Sequence, residues 1–464
     1  MISVRRRGAA RLAAAVLASG LVAAGAIATA GTAAADDAPP SQGGATATLG
    51  GLKTFDKAII HDNGKDQQVG AGLFEMSVDN GGSIQTYCID LHNPTQSKAK
   101  YEEKSWAETS LANNPNAGKI NWVLQNSYPQ VNDLDALAKT AGTGPLTEKT
   151  AAAGTQVAIW RFSDNAKVDA ADPQAEKLAD YLEKSAQNLQ EPKASLSLDP
   201  PAVSGKAGER LGPVKVHTNA DSVTLAPGAE SAGGVKLVDK SGKTITSAAD
   251  GGEVYFDVPE GAADGSATLT AQAATKVPVG RAFASATKSQ TQILAGSSES
   301  TVSATATANW AKKGAVPAVS AEKDCAKGGV DITASNKGDE AFTFELLGQK
   351  YTVEAGQSKT VTAPVKEDQS YKFIISGPNG FEKTFSGVLD CKTSSSGGSS
   401  DTPSSQPSPA SAGGSTGGDT SGGDLAETGS SSNTPMIAGI AVALVVVGGG
   451  AIFFVRKKKA TAGE

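Results

Sequence analysis

Cys88 is the side chain of this 464-residue sequence best placed to do chemistry, because it is the odd thiol of three. Cys325 and Cys391 bracket one Ser/Thr/Val-rich segment and are natural disulfide partners in an oxidising compartment. Cys88 lies more than 230 residues upstream of that pair. An exposed free thiol outside a cell oxidises, so in an exported chain Cys88 is either buried or already bonded to something other than sulfur. Two further readings stay open for it. One is a small buried hydrophobe, the usual fate of a free cysteine. The other is the nucleophile of an exported cysteine hydrolase, which needs a histidine alongside. The chain offers only His61, His92 and His217. No HExxH, no paired Cys/His ligand spacing and no phosphate-cradling Gly motif occurs, so no metal and no cofactor is implied.

Two short stretches carry the sharper signal: Tyr87-Cys88-Ile89-Asp90, and Thr155-Gln156-Val157-Ala158-Ile159-Trp160 preceded by Ala151-Ala152-Ala153-Gly154. Together they resemble the bacterial thioester domain of Gram-positive surface adhesins, which pairs an aromatic-Cys-aliphatic-Asp segment with a Thr-Gln-x-x-aliphatic-Trp segment downstream. The resemblance covers roughly 140 residues and implies an internal thioester between the Cys88 sulfur and the Gln156 side-chain carbonyl, closed with loss of ammonia. The residue types suit that chemistry. A thiolate is the side chain best able to attack a carboxamide, and a thioester is a far better electrophile than the amide it replaces. With 67 residues between the pair, the fold must supply the proximity. Gly154, lacking a Cβ, and the three alanines before it would let that backbone approach the Cys88 strand closely. Tyr87, Trp160 and Trp122 would screen the bond from water. A primary amine on a surface protein, or a polyamine, would then attack the Gln156 carbonyl and displace Cys88. That capture is stoichiometric, so the resemblance implies an adhesin rather than an enzyme.

The two ends of the sequence set the expected compartment. Arg5, Arg6, Arg7 and Arg11, an Ala-rich apolar run and Ala33-Ala34-Ala35 make a secretory signal peptide over residues 1–35. At the other end, residues 436–455 form a 20-residue apolar stretch, enough at helical rise to cross roughly 30 Å of hydrocarbon. Arg456-Lys457-Lys458-Lys459 follows and would hold a short cytoplasmic tail, 456–464, inside. Ahead of the span stands Leu425-Ala426-Glu427-Thr428-Gly429. This order of pentapeptide, span and basic tail resembles a sortase cell-wall sorting signal, which implies cleavage after Thr428 and attachment of that residue to peptidoglycan. The membrane span would then belong to the precursor. Discounting the eight basic and one acidic residue of the two processed ends leaves 34 basic against 47 acidic side chains, a net charge of −13. So acidic a chain, without a basic stripe, excludes nucleic acid as a partner.

These pieces need elements to position them. Residues 36–48 are small and polar, a disordered lead-in. Residues 49–192 mix both patterns and read as an α+β thioester domain: Ser83–Asp90 as a strand entered through Gly81-Gly82, and helices over 116–125 and 134–140. Asp172-Pro173 is an N-cap with a first-turn proline, and Leu178, Leu182, Ala186 and Leu189 then recur at helical spacing. From 193 to 313 the sequence turns to Val/Thr/Ser/Ala alternation broken by Gly and Pro, the pattern of an all-β, Ig-like sandwich. Residues 314–391 repeat that style as a second sandwich, stapled by Cys325 and Cys391. Residues 392–424 are nearly all Ser, Gly, Thr, Pro and Asp, a flexible wall-spanning linker. The expected protein is therefore a wall-anchored covalent adhesin with two sandwiches as a stiff spacer. A wall protein of the same build that binds without a covalent bond, with Cys88 an inert core thiol, is the alternative.

Overall fold

The structure, a computed structural model, describes residues 43–62, 64–228 and 234–393. The signal peptide, residues 36–42, the linker from 394 on, the 425–429 motif, the 436–455 span and the basic tail all lie outside the described residues. Among the described residues no helix is long and apolar enough to cross a membrane.

The chain opens with a long hairpin, β1 (Thr46–Asp62) and β2 (Lys65–Val78), followed by β3 (Ser83–Cys88) and β4 (Lys100–Lys104). So the expected lead-in is already ordered from Gly43, and strand structure starts at Thr46. Three helices come next: α1 (Ala117–Gln125), α2 (Leu134–Ala141) and α3 (Glu148–Ser163). The short β5 (Val168–Ala170) leads into α4 (Pro173–Ser185), where the Asp172 side chain accepts from Gln174 and Ala175 N–H and Pro173 occupies the first turn. α4 stops four residues short of Leu189, whose N–H instead donates to the Gly118 carbonyl.

Beyond residue 192 come β6 (Leu196–Asp199), β7 (Ala202–Lys206), β8 (Arg210–Thr218), β9 (Val223–Pro227), β10 (Lys236–Val238), β11 (Ser247–Ala248), β12 (Glu253–Asp257) and β13 (Gly265–Lys276). They are followed by β14 (Ala282–Ser285), β15 (Gln292–Ser297) and β16 (Glu299–Ala311). Two sheets, β10-β12-β8-β6 and β11-β9-β13-β16-β7, share a core that includes Val214, Val216, Phe256, Leu225 and Leu269.

β14 and β15 do not join that sandwich. They leave it and complete the sheet of the N-terminal part, in the order β2-β3-β15-β14-β4-β1-β5. Because β1 also pairs with β2, the six strands β1-β2-β3-β15-β14-β4 close on themselves as an antiparallel barrel. Bulges between Leu49 and Gly51 and between Leu52 and Thr54 curve β1, so its first residues pair with β4 and Ala58–Ile60 with β5. Closure removes the exposed edges that β3 and β4 would otherwise present. The division expected at 192/193 is thus crossed twice by the chain. Residues 193–313 are not a self-contained unit: β6–β13 and β16 build the sandwich, and the hairpin between them belongs to the barrel.

A buried ion pair stitches this junction. The Arg281 guanidinium, one residue before β14, donates from Nε to Glu103 on β4 at 2.9 Å and from Nη1 to Glu191. The Glu103 carboxylate also accepts from the N–H groups of Ala45 and Ser195 and from the Ser195 hydroxyl. Arg281 and Glu103 expose only 6 % and 1 % of their side chains, so neither charge has water to fall back on. Arg281→Ala leaves Glu103 buried without its counter-charge and is expected to cost about 3–5 kcal/mol. Denaturant unfolding of the full chain monitored by tryptophan fluorescence measures it; a change below 1 kcal/mol, the range of an exposed pair, would contradict the assignment.

The remaining strands, β17 (Pro317–Asp324) to β23 (Glu382–Val388), enclose a separate core of Ile332, Phe342, Phe344, Ile375 and Phe385. A three-stranded sheet and two hairpins surround it. The Cys325–Cys391 disulfide forms as expected, tying the start of this unit to its end. It also docks back on the barrel domain, because Cys325 N–H donates to the Ala107 carbonyl and Asn113 Nδ2 to the Cys325 carbonyl. The C-terminal unit is therefore in contact with the N-terminal domain and is not merely strung behind it.

Candidate functional site

Cys88 ends β3, inside the barrel wall, and Gln156 sits in the middle of α3. That helix starts at Thr147, whose side chain accepts from Thr150 N–H, and lies against β1, β2, β3 and β5 on one side and against α1 and α4 elsewhere. Its residues Ala151 to Trp160 are all buried, which explains the small side chains: a helix packed on every face has no room for a polar stripe. Gly154 does serve close approach, but to a different neighbour than expected. A Cβ there would come within 2.5 Å of the Ala175 carbonyl in the first turn of α4, so the glycine seats α4 and not the Cys88 strand.

The two residues meet through two hydrogen bonds. Cys88 N–H donates to Gln156 Oε1 at 3.0 Å, and Gln156 Nε2 donates to the Cys88 carbonyl at 2.8 Å. Both residues are fully buried. The carboxamide is therefore held flat against the peptide of the cysteine, with its carbonyl already polarised by a main-chain N–H. Such a donor would also receive negative charge developing on that oxygen during attack.

The surroundings are equally closed. Tyr87 and Ile89 are fully buried, and the Tyr87 hydroxyl donates to the Tyr128 carbonyl. The Thr155 side chain lies beside that hydroxyl and donates to the Ala151 carbonyl one turn back. Ala158 and Ile159 fill the helix face without exposure. Trp160 Nε1 is buried without a hydrogen-bond partner among the described residues, and it is near enough to Cys88 to exert a small downward pull on the thiol. Asp90 N–H points at the same sulfur, 3.2 Å away. Burial, reinforced by the nearby carboxyls of Asp164 and Asp90, pushes the Cys88 thiol well above its ordinary range, against the smaller opposing pull of these two N–H groups. A thiol held that way is a weak free nucleophile and a protected one.

The histidines that a hydrolase would need are elsewhere. His61 is bound to Asp66 and Asp169, and His217 lies on β8, paired with Ser197. His92 is half-buried, and burial lowers its pKa. None of the three hydrogen-bonds the sulfur among the described residues.

What the sequence did not point to is the strand on the other side of Cys88. In β15, Gln292 is the register partner of Cys88, and the Thr291 carbonyl accepts from Ile89 N–H at 3.1 Å. Gln290 Nε2 holds the Asp90 carbonyl at 2.8 Å, and Thr86 donates to Gln292 Oε1. Nothing local in Ser289-Gln290-Thr291-Gln292 marks it as one wall of the site. Asp164, the C-cap of α3, was missed for the same reason.

Comparison with known proteins bears on this geometry directly. A family model described as thioester domain matches residues 85–188, a span that contains both Cys88 and Gln156. A second, described as the C-terminal domain of bacterial phospholipase C, matches residues 317–388. No curated protein matches. Among solved structures, the Bacillus anthracis TIE protein is similar at 15 % identity over 76 % of this chain and 81 % of that one, with a TM-score of 0.28. The thioester domain of the Enterococcus faecium TIE86 protein is similar at 16 % identity over 58 % of this chain and 97 % of that one, with a TM-score of 0.26. The protein contains a thioester domain, and the matched span begins inside β3, leaving β1, β2, β14 and β15 outside it.

Proposed function

We propose that the protein is a surface adhesin that joins itself covalently to amine-bearing targets through an internal thioester between Cys88 and Gln156. The single observation that supports this reading best is the pair of hydrogen bonds by which Cys88 grips the Gln156 carboxamide, since proximity is the part of the reaction that a fold must supply. In closure, the Cys88 sulfur adds to the Gln156 carbonyl carbon, the C–S bond forms, and the side-chain nitrogen departs as ammonia. In capture, a primary amine takes the place of the sulfur, leaving an amide to the partner and a thiol at Cys88. No step regenerates the thioester, so the protein acts once and is not an enzyme.

Display completes the reading. The signal peptide, the Leu425–Gly429 motif, the apolar span and the basic tail support export, cleavage by a sortase and attachment to peptidoglycan. Amine-bearing surface proteins and polyamines are the chemical class of partner, and the acidic balance of the chain favours their approach.

Intact mass of the mature protein tests the proposal. The thioester form is lighter than the calculated chain by one ammonia, and methylamine adds its full mass while freeing one thiol. A mature protein of full calculated mass that ignores methylamine would leave a non-covalent surface protein with an inert Cys88. Turnover of a peptide substrate blocked by Cys88→Ala would point to a hydrolase.

A further inference from the structure

Capture moves one proton as well as one acyl group. The attacking nitrogen must lose a proton, and the sulfur, which burial and two carboxyls hold far from its thiolate form, must gain one to leave. The only carboxyl on the cysteine's own loop is Asp90. It is 1 % exposed, and its N–H already contacts the sulfur. Its Oδ2 is fixed by Asn93 Nδ2 at 2.6 Å, while Oδ1 is buried and has no partner among the described residues. A buried carboxylate oxygen left without a donor is costly, so taking a proton relieves it, and the carboxyl is near enough to Cys88 for its charge to push the thiol up.

We propose that Asp90 is the proton relay of the acyl transfer: its free Oδ1 takes the proton from the attacking amine nitrogen and passes it to the Cys88 sulfur as that leaves. The bookkeeping closes without a co-reactant. The amine N–H breaks and the N–C bond forms at Gln156; the C–S bond breaks and S–H forms; Asp90 ends as it began. This rests on the thioester reading above and adds to it the group that handles the proton.

The groups facing Asp90 set the pH at which the relay is ready. Asp164, from the end of α3, is tied to Leu91 N–H and to the Ser163 hydroxyl, and burial raises its carboxyl to about 6. Burial first, then the Asp164 charge, raises Asp90 to about 7 against the opposing bond from Asn93, with the Thr291 backbone also lowering it and Asp368 of the C-terminal unit adding a small upward push. Asp390 feels Asp90 in turn and is itself raised to about 7, chiefly by burial. No basic side chain stands among these influences on Asp90. The relay must be ionised to accept a proton, so capture of an amine that stays neutral throughout should speed up as pH rises through about 7 and then level off.

Methoxyamine, weakly basic and neutral across that range, is the probe, and adduct formation on the full mature chain is followed by intact mass. Wild type is expected to show the single rise and plateau. Asp90→Asn keeps the shape and an acceptor for Asn93, still forms the thioester, and should capture methoxyamine about 100-fold more slowly with no rise. Asp164→Asn removes a neighbouring negative charge, so its rise should shift to lower pH. An Asp90→Asn protein with the wild-type rate and profile overturns the relay. Should that variant fail to close its thioester, seen as full calculated mass, the Asp164→Asn profile decides: an inflection that does not move overturns it equally. A wild-type chain of full calculated mass would instead bring down the thioester itself, and the relay with it.

Discussion

Cys88→Ala is expected to give a folded protein of full calculated mass that captures no amine at any pH, its adduct signal at background. The clean separation of fold from chemistry follows from how the two residues touch. Both hydrogen bonds to Gln156 come from the main chain of residue 88, so alanine keeps them while the sulfur is gone. Losing one buried heavy atom costs on the order of 1 kcal/mol, a loss a domain can bear. Gln156→Ala reaches the same chemical endpoint at greater structural expense. It strips the Cys88 N–H and carbonyl of their buried partners, at roughly 1–3 kcal/mol for each group left unsatisfied. The two variants should therefore be equally dead toward methylamine but unequal in denaturation midpoint, with Gln156→Ala the less stable. Residual amine incorporation by Cys88→Ala, above that of protein blocked with a thiol reagent after methylamine treatment, would place the electrophile elsewhere.

The candidate site of this chain, where Cys88 and Gln156 meet, is more legible in the sequence than the architecture around it, and the reason is physical. A thioester needs a thiol, a carboxamide and shielding aromatics, and those residue types are rare enough in Tyr87–Asp90 and Thr155–Trp160 to stand out. Helix starts were legible too, since Asp172-Pro173 and the Leu178/Leu182 spacing act within one turn of the chain. The reading failed where the signal is shared. A strand in a barrel and a strand in a sandwich alternate with the same period, so "RAFAS" and "TQILAGS" look like their neighbours in β13 and β16. Only pairing over some 200 residues assigns them to the barrel: Ile293 to Tyr87 and Phe283 to Glu103. Gly154 shows the same limit at one residue. Its lack of a Cβ announced a close contact, but not whether β3 or α4 would make it.

The shared strands lead to the other large effect. A chain ending at residue 192 contains both members of the proposed thioester pair and the whole matched span, yet it is expected neither to fold cooperatively nor to capture amine. Without β14 and β15 the barrel opens between β3 and β4, exposing the two strand edges that the hairpin covers. Ile89 N–H loses Thr291, the Asp90 carbonyl loses Gln290, and Cys88 loses the strand that covers it. Glu103 loses Arg281, which alone is worth about 3–5 kcal/mol when a buried partner is stranded. Against a domain stability of about 5–15 kcal/mol, these losses together exceed what the remaining core can hold. A chain running to residue 313 restores β14, β15 and the sandwich strand β16, and should recover both cooperative unfolding and the methylamine mass shift. Near-UV circular dichroism and intact mass, measured on the two truncations side by side, decide the matter. If the 192-residue piece unfolds cooperatively and reacts with methylamine as fast as the full chain, then the hairpin is only an ornament on a domain complete without it.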